Sequence, residues 1–242
     1  MSEAESITVA CLDLAGTTVA DDDTVETAFA EAIAALGTAS GTAAHQRAMT
    51  HIRASRGGSK IEIFRSLFDE ARAQAANMAF ERSYDQLVDR HGLRAVPGAA
   101  DAIERLRGAG VRVCLLTGFG RTTQARILDT LGWWDHADLT LCPEDVERGR
   151  PWPDLVLTAA LRLGVDDVRH IAVCGDTAND MLTGRRSGAS VVAGVLTGAH
   201  DRARLLTAGA THILPSVAAL PDLILKKTRP HPDHRTEPSV IN

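Results

Sequence analysis

Short runs that are apolar on both faces alternate with helix-period segments along most of this chain, and that rhythm limits the possible folds more than any other feature. A strand wetted on one side would alternate apolar and polar residues. Residues 7–12 (ITVACL) do not alternate, so they read as a strand covered on both faces. Residues 111–116 (VRVCLL), 171–174 (IAVC) and 190–195 (SVVAGV) read the same way, with weaker strands at 137–142 and 211–214. Helical patterns lie between them near 99–109, 121–131, 153–163, 178–187 and 200–208. This predicts an α/β fold with a parallel sheet and helices on both of its faces.

The segment 22–92 interrupts the rhythm. It carries four amphipathic helical patterns in series, TVETAFAEAIAALG, AAHQRAMTHIRAS, SKIEIFRSLFDEARAQ and MAFERSYDQLVDRHG, and no strand-like run. The flanks ADDDT and HGLRAVPG have the polar, Gly/Pro-containing character of hinges. The expected division is therefore a catalytic core of residues 1–21 and 93–225, an inserted helical cap of 22–92, and a polar, Pro-rich tail of 226–242 expected to be disordered.

Lys+Arg number 26 against 31 Asp+Glu, a formal net charge of −5 over 242 residues. That balance argues against a nucleic-acid partner, which needs a basic face. No stretch of about 18 apolar residues occurs, so no membrane partner is expected. The N-terminal MSEAES lacks the basic flank and apolar run of a signal peptide, which points to a cytoplasmic protein. Cys11, Cys114, Cys142 and Cys174 each lie in a strand-like run without C-x-x-C spacing, so they are expected to be buried thiols. The oligomeric state is not readable.

Three predicted strands end in a side chain suited to phosphoryl chemistry: Asp13 in DLAGTT, Thr117 in LLTGFG and Asp176 in CGDTAND. In an open α/β sheet, ligands bind at the carboxyl ends of the strands, so these three residues should share one crevice. A strand-end aspartate is a candidate nucleophile on phosphorus. A phosphoryl dianion repels it, so positive charge is required, and aspartate oxygens suit Mg²⁺. Thr117 can donate to a phosphoryl oxygen. Arg150, in GRPWP, can pair with the phosphoryl group or hold the aspartate. Gly16 and Gly118 would let backbone N–H groups approach the same oxygens.

Taken in order, D-x-A-G-T-T, T-G-F, G-R-P-x-P and G-D-T-x-x-D resemble the four-motif signature of the haloacid dehalogenase superfamily, spanning Asp13 to Asp180. The resemblance implies a Rossmann-like catalytic core and a helical cap inserted between the first two motifs. It makes Asp13 nucleophile and metal ligand, the Ala15 carbonyl and Asp176 metal ligands, and Asp180 their support. It also makes Thr117 and Arg150 phosphoryl contacts, with Thr17, Gly57 and Gly118 in substrate binding.

Most phosphatases of that superfamily carry an aspartate two residues after the nucleophile as general acid; here the position is Ala15. The chain resembles the phosphonatase branch in this respect. There a cap lysine forms a Schiff base with a substrate aldehyde, so that carbon leaves phosphorus as an enamine. The run RGGSKIEIF places Lys60 three residues after Gly57, as in the phosphonatase Met-Gly-x-x-Lys motif. Arg56 stands for the usual Met, and Ile63 stands where a histidine is usual. The same run also resembles the G-x-S-R loop of sugar-phosphate enzymes. Lys60 therefore reads as a Schiff-base lysine, an electrostatic substrate contact or a surface lysine.

The leading expectation is Mg²⁺-dependent cleavage of a small phosphonate, with the C–P bond β to a carbonyl. A monoesterase acting on phosphoglycolate or a sugar phosphate is the alternative, and a catalytically weak binding or regulatory protein is a third. Asp21, Asp22 and Asp23 read as a solvated hinge. His51, His170 and His200 read as loop or surface residues, with a minor site role open to His200. Arg121 reads as a helix-start residue or a substrate contact, and Trp133 and Trp134 as packing at a helix–strand junction.

Overall fold

The computed structural model describes residues 6–225; the tail reading for 226–242 falls outside them. Strand β1 (Val9–Asp13) is followed by four helices, α1 (Thr24–Ala35), α2 (Ala43–Ala54), α3 (Lys60–Arg65) and α4 (Glu70–His91). The rest alternates: α5 (Ala99–Gly108), β2 (Arg112–Leu116), α6 (Arg121–Leu131), β3 (Leu139–Leu141), α7 (Asp154–Arg162), β4 (Ile171–Gly175), α8 (Ala178–Ser187), β5 (Val191–Val195), α9 (Arg202–Thr207), β6 (His212–Leu214) and α10 (Leu220–Ile224). All strand pairs are parallel, in the order β3-β2-β1-β4-β5-β6. The fold is thus an α/β, Rossmann-like parallel sheet with an inserted helical cap.

The both-face apolar character of β1 has its reason in this sheet. Ala10 and Leu12 pack into one core with Ile103 and Leu106 of α5. Val9 and Cys11 pack into a second with Leu155 and Val156 of α7 and Met181 of α8. All four cysteines are buried and free. The strand order turns back between β1 and β4, and their carboxyl ends open on one crevice there.

The inserted helices hold together around aromatic rings. Phe29 of α1, Phe64 of α3 and Phe80 of α4 lie with centroids 4.7–6.3 Å apart. The cluster continues through Tyr84 to Phe119, which belongs to the loop after β2, with a Tyr84–Phe119 centroid distance of 4.9 Å. One apolar contact therefore joins the helical insert to the sheet beside the crevice. Phe80→Ala should destabilise the protein by about 3–5 kcal/mol, through lost burial and the cavity left behind; denaturant unfolding measures this directly.

Two readings of the sequence are corrected here. The third and fourth helical patterns divide elsewhere: α3 has six residues, and α4 runs unbroken for 22. Residues 66–69 leave the helix, and the Asp69 side chain accepts from Arg72 N–H at 3.0 Å to start α4. Apolar spacing continues across that break, because Leu67 and Phe68 still pack against the core, so periodicity could not reveal it. Ala73, Ala76 and Ala79, buried in α4, carry the helix through the supposed gap. The second correction concerns the tryptophans: Trp133 is buried, but Trp134 is 51% exposed and donates to Asp129. Among the described residues no helix is long and apolar enough to cross a membrane.

Candidate active site

Asp13 is the last residue of β1, and Asp176 follows the end of β4, the neighbouring strand. Asp180 lies in the first turn of α8. One carboxylate oxygen from each of the three buried residues can be chosen so that all lie within 4.8 Å of one another. Arg150 lies among them: Nη2 is 2.7 Å from Asp13 Oδ1, and Nη1 binds Asp180 Oδ1. The other Asp180 oxygen accepts from the Thr177 N–H at 3.0 Å and from the Thr177 hydroxyl. Asp180 therefore caps α8 and fixes Arg150, which in turn orients Asp13.

Three buried carboxylates around one guanidinium leave an excess of negative charge. Burial, and then the neighbouring Asp13, push the Asp176 carboxyl well above the usual carboxylate range. The Ala199 N–H, 2.7 Å from Asp176 Oδ2, and the Thr17 hydroxyl, 3.3 Å from Oδ1, hold that side chain in place. A set of hard oxygen donors short of positive charge fits a divalent cation such as Mg²⁺.

The glycines explain how backbone comes so close. Gly16 has φ +84°, and a Cβ there would lie 2.5 Å from Asp176 Oδ2. Gly57, at φ +83°, brings the segment before α3 against Thr177, where any Cβ would overlap the Thr177 side chain. Lys60 N–H donates to the Gly118 carbonyl at 3.1 Å, and Asn179 Nδ2 donates to the Ser55 and Arg56 carbonyls at 3.2 and 2.8 Å. The helical insert is thus docked onto the strand ends through its own backbone groups, one bonded to backbone and two to the Asn179 side chain. Gly57→Ala combines a strained φ with this clash, and misplacement of about 1 Å can cost 10²-fold. A fall of about that size in kcat/KM, with the folded far-UV spectrum retained, is the expected result.

A cavity of about 30 Å³ remains at the centre, lined by Asp13, Ala15, Asp21, Thr117 and Asp176 from the core side and by Arg56, Gly57 and Lys60 from the insert side. Lys60 is the first residue of α3 and is only 7% exposed. Its Nζ lies 4.3 Å from the Phe119 ring centroid. Burial first, and then the Arg150 guanidinium, bring its amine down to about 8. Gly118 and Arg150 line the cavity as well, and both also line a larger groove of about 580 Å³ beside it. Thr117 keeps its hydroxyl near the strand end by accepting the Phe119 N–H at 3.1 Å. Thr17 lies behind Asp176, against which its hydroxyl rests.

Sequence reasoning missed Asp21 here and gave His200 no more than a minor site role. Asp21 was read into a solvated run, and Asp22 and Asp23 are indeed exposed. Asp21 itself turns inward, because the chain reverses at Asp23 (φ 59°) and Asp21 Oδ1 accepts the Val25 N–H of α1 at 3.0 Å. An uninterrupted charge run carries no signal for which member faces in. His200 is buried, and its Nδ1 accepts the Ala178 N–H at 2.8 Å, steadying the start of α8 behind Asp176. Its place just after a strand end was the only hint. Arg121 faces away from the cavity, paired with Asp145 at 3.0 Å.

A crevice at the switch point of a parallel sheet, closed by an inserted helical segment and lined by strand-end carboxylates, is the arrangement of an α/β enzyme whose ligand binds at the strand ends. Residues 7–188 match the family model of haloacid dehalogenase-like hydrolases, and the chain belongs to that family of hydrolases. Phosphonoacetaldehyde hydrolase of Bacillus cytotoxicus is 27% identical over 206 residues, covering 74% of this chain and 76% of that protein. The Bacillus cereus protein of the same name is 30% identical over 140 residues, 57% of this chain and about half (52%) of the relative. Among solved structures, a hydrolase from Pseudomonas syringae superposes with a TM-score of 0.78 at 27% identity, covering 89% of this chain and 97% of that one.

Proposed function

We propose that this hydrolase cleaves the C–P bond of a small phosphonate bearing a carbonyl β to phosphorus, with Asp13 attacking phosphorus and Lys60 activating the carbon end. The observation that carries this reading is the buried amine of Lys60, held near neutrality in the same small cavity as the Asp13 carboxylate, while Ala15 leaves the nucleophile's loop without an acid. An oxygen leaving group would need that acid; a carbon leaving group needs an electron sink instead. The resemblance to phosphonoacetaldehyde hydrolases of Bacillus cytotoxicus and Bacillus cereus agrees with a substrate of that kind.

The residues divide the work as follows. The neutral Lys60 amine adds to the carbonyl carbon, and the carbinolamine hydroxyl takes up a proton and leaves as water to give the iminium. An Asp13 oxygen then bonds to phosphorus as the C–P bond breaks, and the C–P electron pair moves into the iminium to give an enamine. Thr117 and Arg150, whose buried Nε has no partner among the described residues, bind phosphoryl oxygens. Gly57 and Gly118 shape the substrate-binding walls, while Thr17, which the sequence also suggested for that task, supports Asp176 from behind. Mg²⁺, held by Asp13, the Ala15 carbonyl and Asp176 with Asp180 in support, would supply the positive charge that lets a carboxylate approach a phosphoryl dianion.

The central cavity of about 30 Å³ shares Lys60, Gly118 and Arg150 with the groove of about 580 Å³ beside it, and the insert lies over it as a cap. Residues 22–92 act as that cap over a core of 1–21 and 93–225, and closure excludes water. The test is borohydride reduction in the presence of phosphonoacetaldehyde and Mg²⁺, followed by peptide mass spectrometry. A reduced adduct on Lys60, with phosphate released in the unreduced reaction, is the expected result. Phosphate release from monoesters with no adduct would overturn the C–P reading.

A further inference from the structure

The cavity is lined by six ionisable side chains: Asp13, Asp21, Arg56, Lys60, Arg150 and Asp176. Four of them are engaged elsewhere. Asp13 and Asp176 belong to the carboxylate cluster, Arg150 is tied to Asp13 and Asp180, and Arg56 is paired with Glu26 at 3.0 Å. Lys60 and Asp21 remain. Asp21 enters from the segment joining β1 to α1, and its charge acts on both Lys60 and Arg56. Its Oδ1 is fixed by the Val25 N–H, while Oδ2 makes no hydrogen bond among the described residues. Anchored through one oxygen, it has the other available to a ligand in the cavity.

Ala15 carries no ionisable group, and among the described residues that line the cavity Asp21 is the one carboxyl outside the Asp13–Asp176–Asp180 cluster. We infer that Asp21 is the proton-transfer residue for the carbon end of the substrate, serving the Lys60 adduct rather than the phosphoryl group. This rests on the proposed carbonyl chemistry and adds a residue to it. When the Lys60 amine has added to the carbonyl, the carbinolamine hydroxyl must leave. The C–O bond breaks, the oxygen departs as water carrying the Asp21 proton, and the nitrogen lone pair closes the C=N bond. The products are a cationic iminium and an Asp21 carboxylate beside it. After C–P cleavage and protonation of the enamine carbon, the reverse step applies. Water adds to the iminium carbon, and Asp21 takes one of its protons. Burial raises the Asp21 carboxyl above its ordinary range, in keeping with a group that carries a proton into this cycle.

The experiment is the rate of borohydride-trapped adduct formation on Lys60 with phosphonoacetaldehyde, in the full chain with Mg²⁺. Asp21→Asn keeps the Val25 anchor and loses the proton, and should slow trapping by about 10²-fold. Asp21→Glu should recover part of the rate. Asp21→Ala should be rescued by added formate, in proportion to its concentration. Trapping by Asp21→Asn at the wild-type rate would overturn the role of Asp21 and leave the Lys60 reading standing. Slow trapping that neither Glu nor formate improves would also overturn it, since a purely structural loss behaves that way. If the wild-type protein traps no adduct, the carbonyl reading itself falls, and the role of Asp21 with it.

Discussion

Asp13→Asn is expected to lower phosphate release by on the order of 10⁴-fold or more, because an amide is no nucleophile toward phosphorus and covalent catalysis has no substitute at this strand end. The substitution is nearly isosteric, so β1 should keep its pairing with β2 and β4. The charge balance changes more than the shape. Arg150 would lose one of its two carboxylate partners, yet Asp180 still holds it. A folded, inactive variant is therefore the outcome. Steady-state phosphate release measures the loss, and the thermal unfolding midpoint checks that the fold survives.

Lys60→Arg should abolish adduct formation and reduce phosphonate cleavage by at least about 10³-fold, since a guanidinium stays protonated and cannot form the iminium. Retaining the charge tests the electrostatic alternative directly: a lysine that merely attracts the substrate would be largely replaced by arginine. A pH dependence follows from the same amine. Its value in the folded protein is about 8, below the ordinary lysine value, so the reactive neutral form is scarce at pH 6 and predominates above about 8. Adduct formation should climb with pH as the amine loses its proton through that window. A rate that is flat from pH 6 to 9 would contradict the assignment.

The parts of this molecule legible in the sequence are those where burial leaves a composition signal. Strands β1, β2, β4 and β5 could be read because both of their faces are covered, which leaves the runs apolar apart from residues near their amino ends such as Thr8 and Arg112. Asp13, Thr117 and Asp176 could be placed in one crevice because each interrupts such a run at its carboxyl end, and parallel strands deliver those ends to one edge. The turn between α3 and α4 was invisible because Leu67 and Phe68 maintain helical spacing while the backbone leaves the helix. Asp21 was hidden by its own neighbours: three aspartates in a row give no sign of which one the left-handed turn at Asp23 sends inward. The docking of Gly57 against Thr177 is a contact between residues 120 positions apart, and no local pattern encodes it.

The most direct measurement is made on the nucleophile itself. Wild-type protein turning over phosphonoacetaldehyde with Mg²⁺ is quenched in acid within the first turnover, digested, and its peptides weighed. A phosphoryl group on the peptide carrying Asp13, absent from Asp13→Asn, is the predicted result. Rapid phosphate release with that aspartate unmodified at every quench time would contradict it.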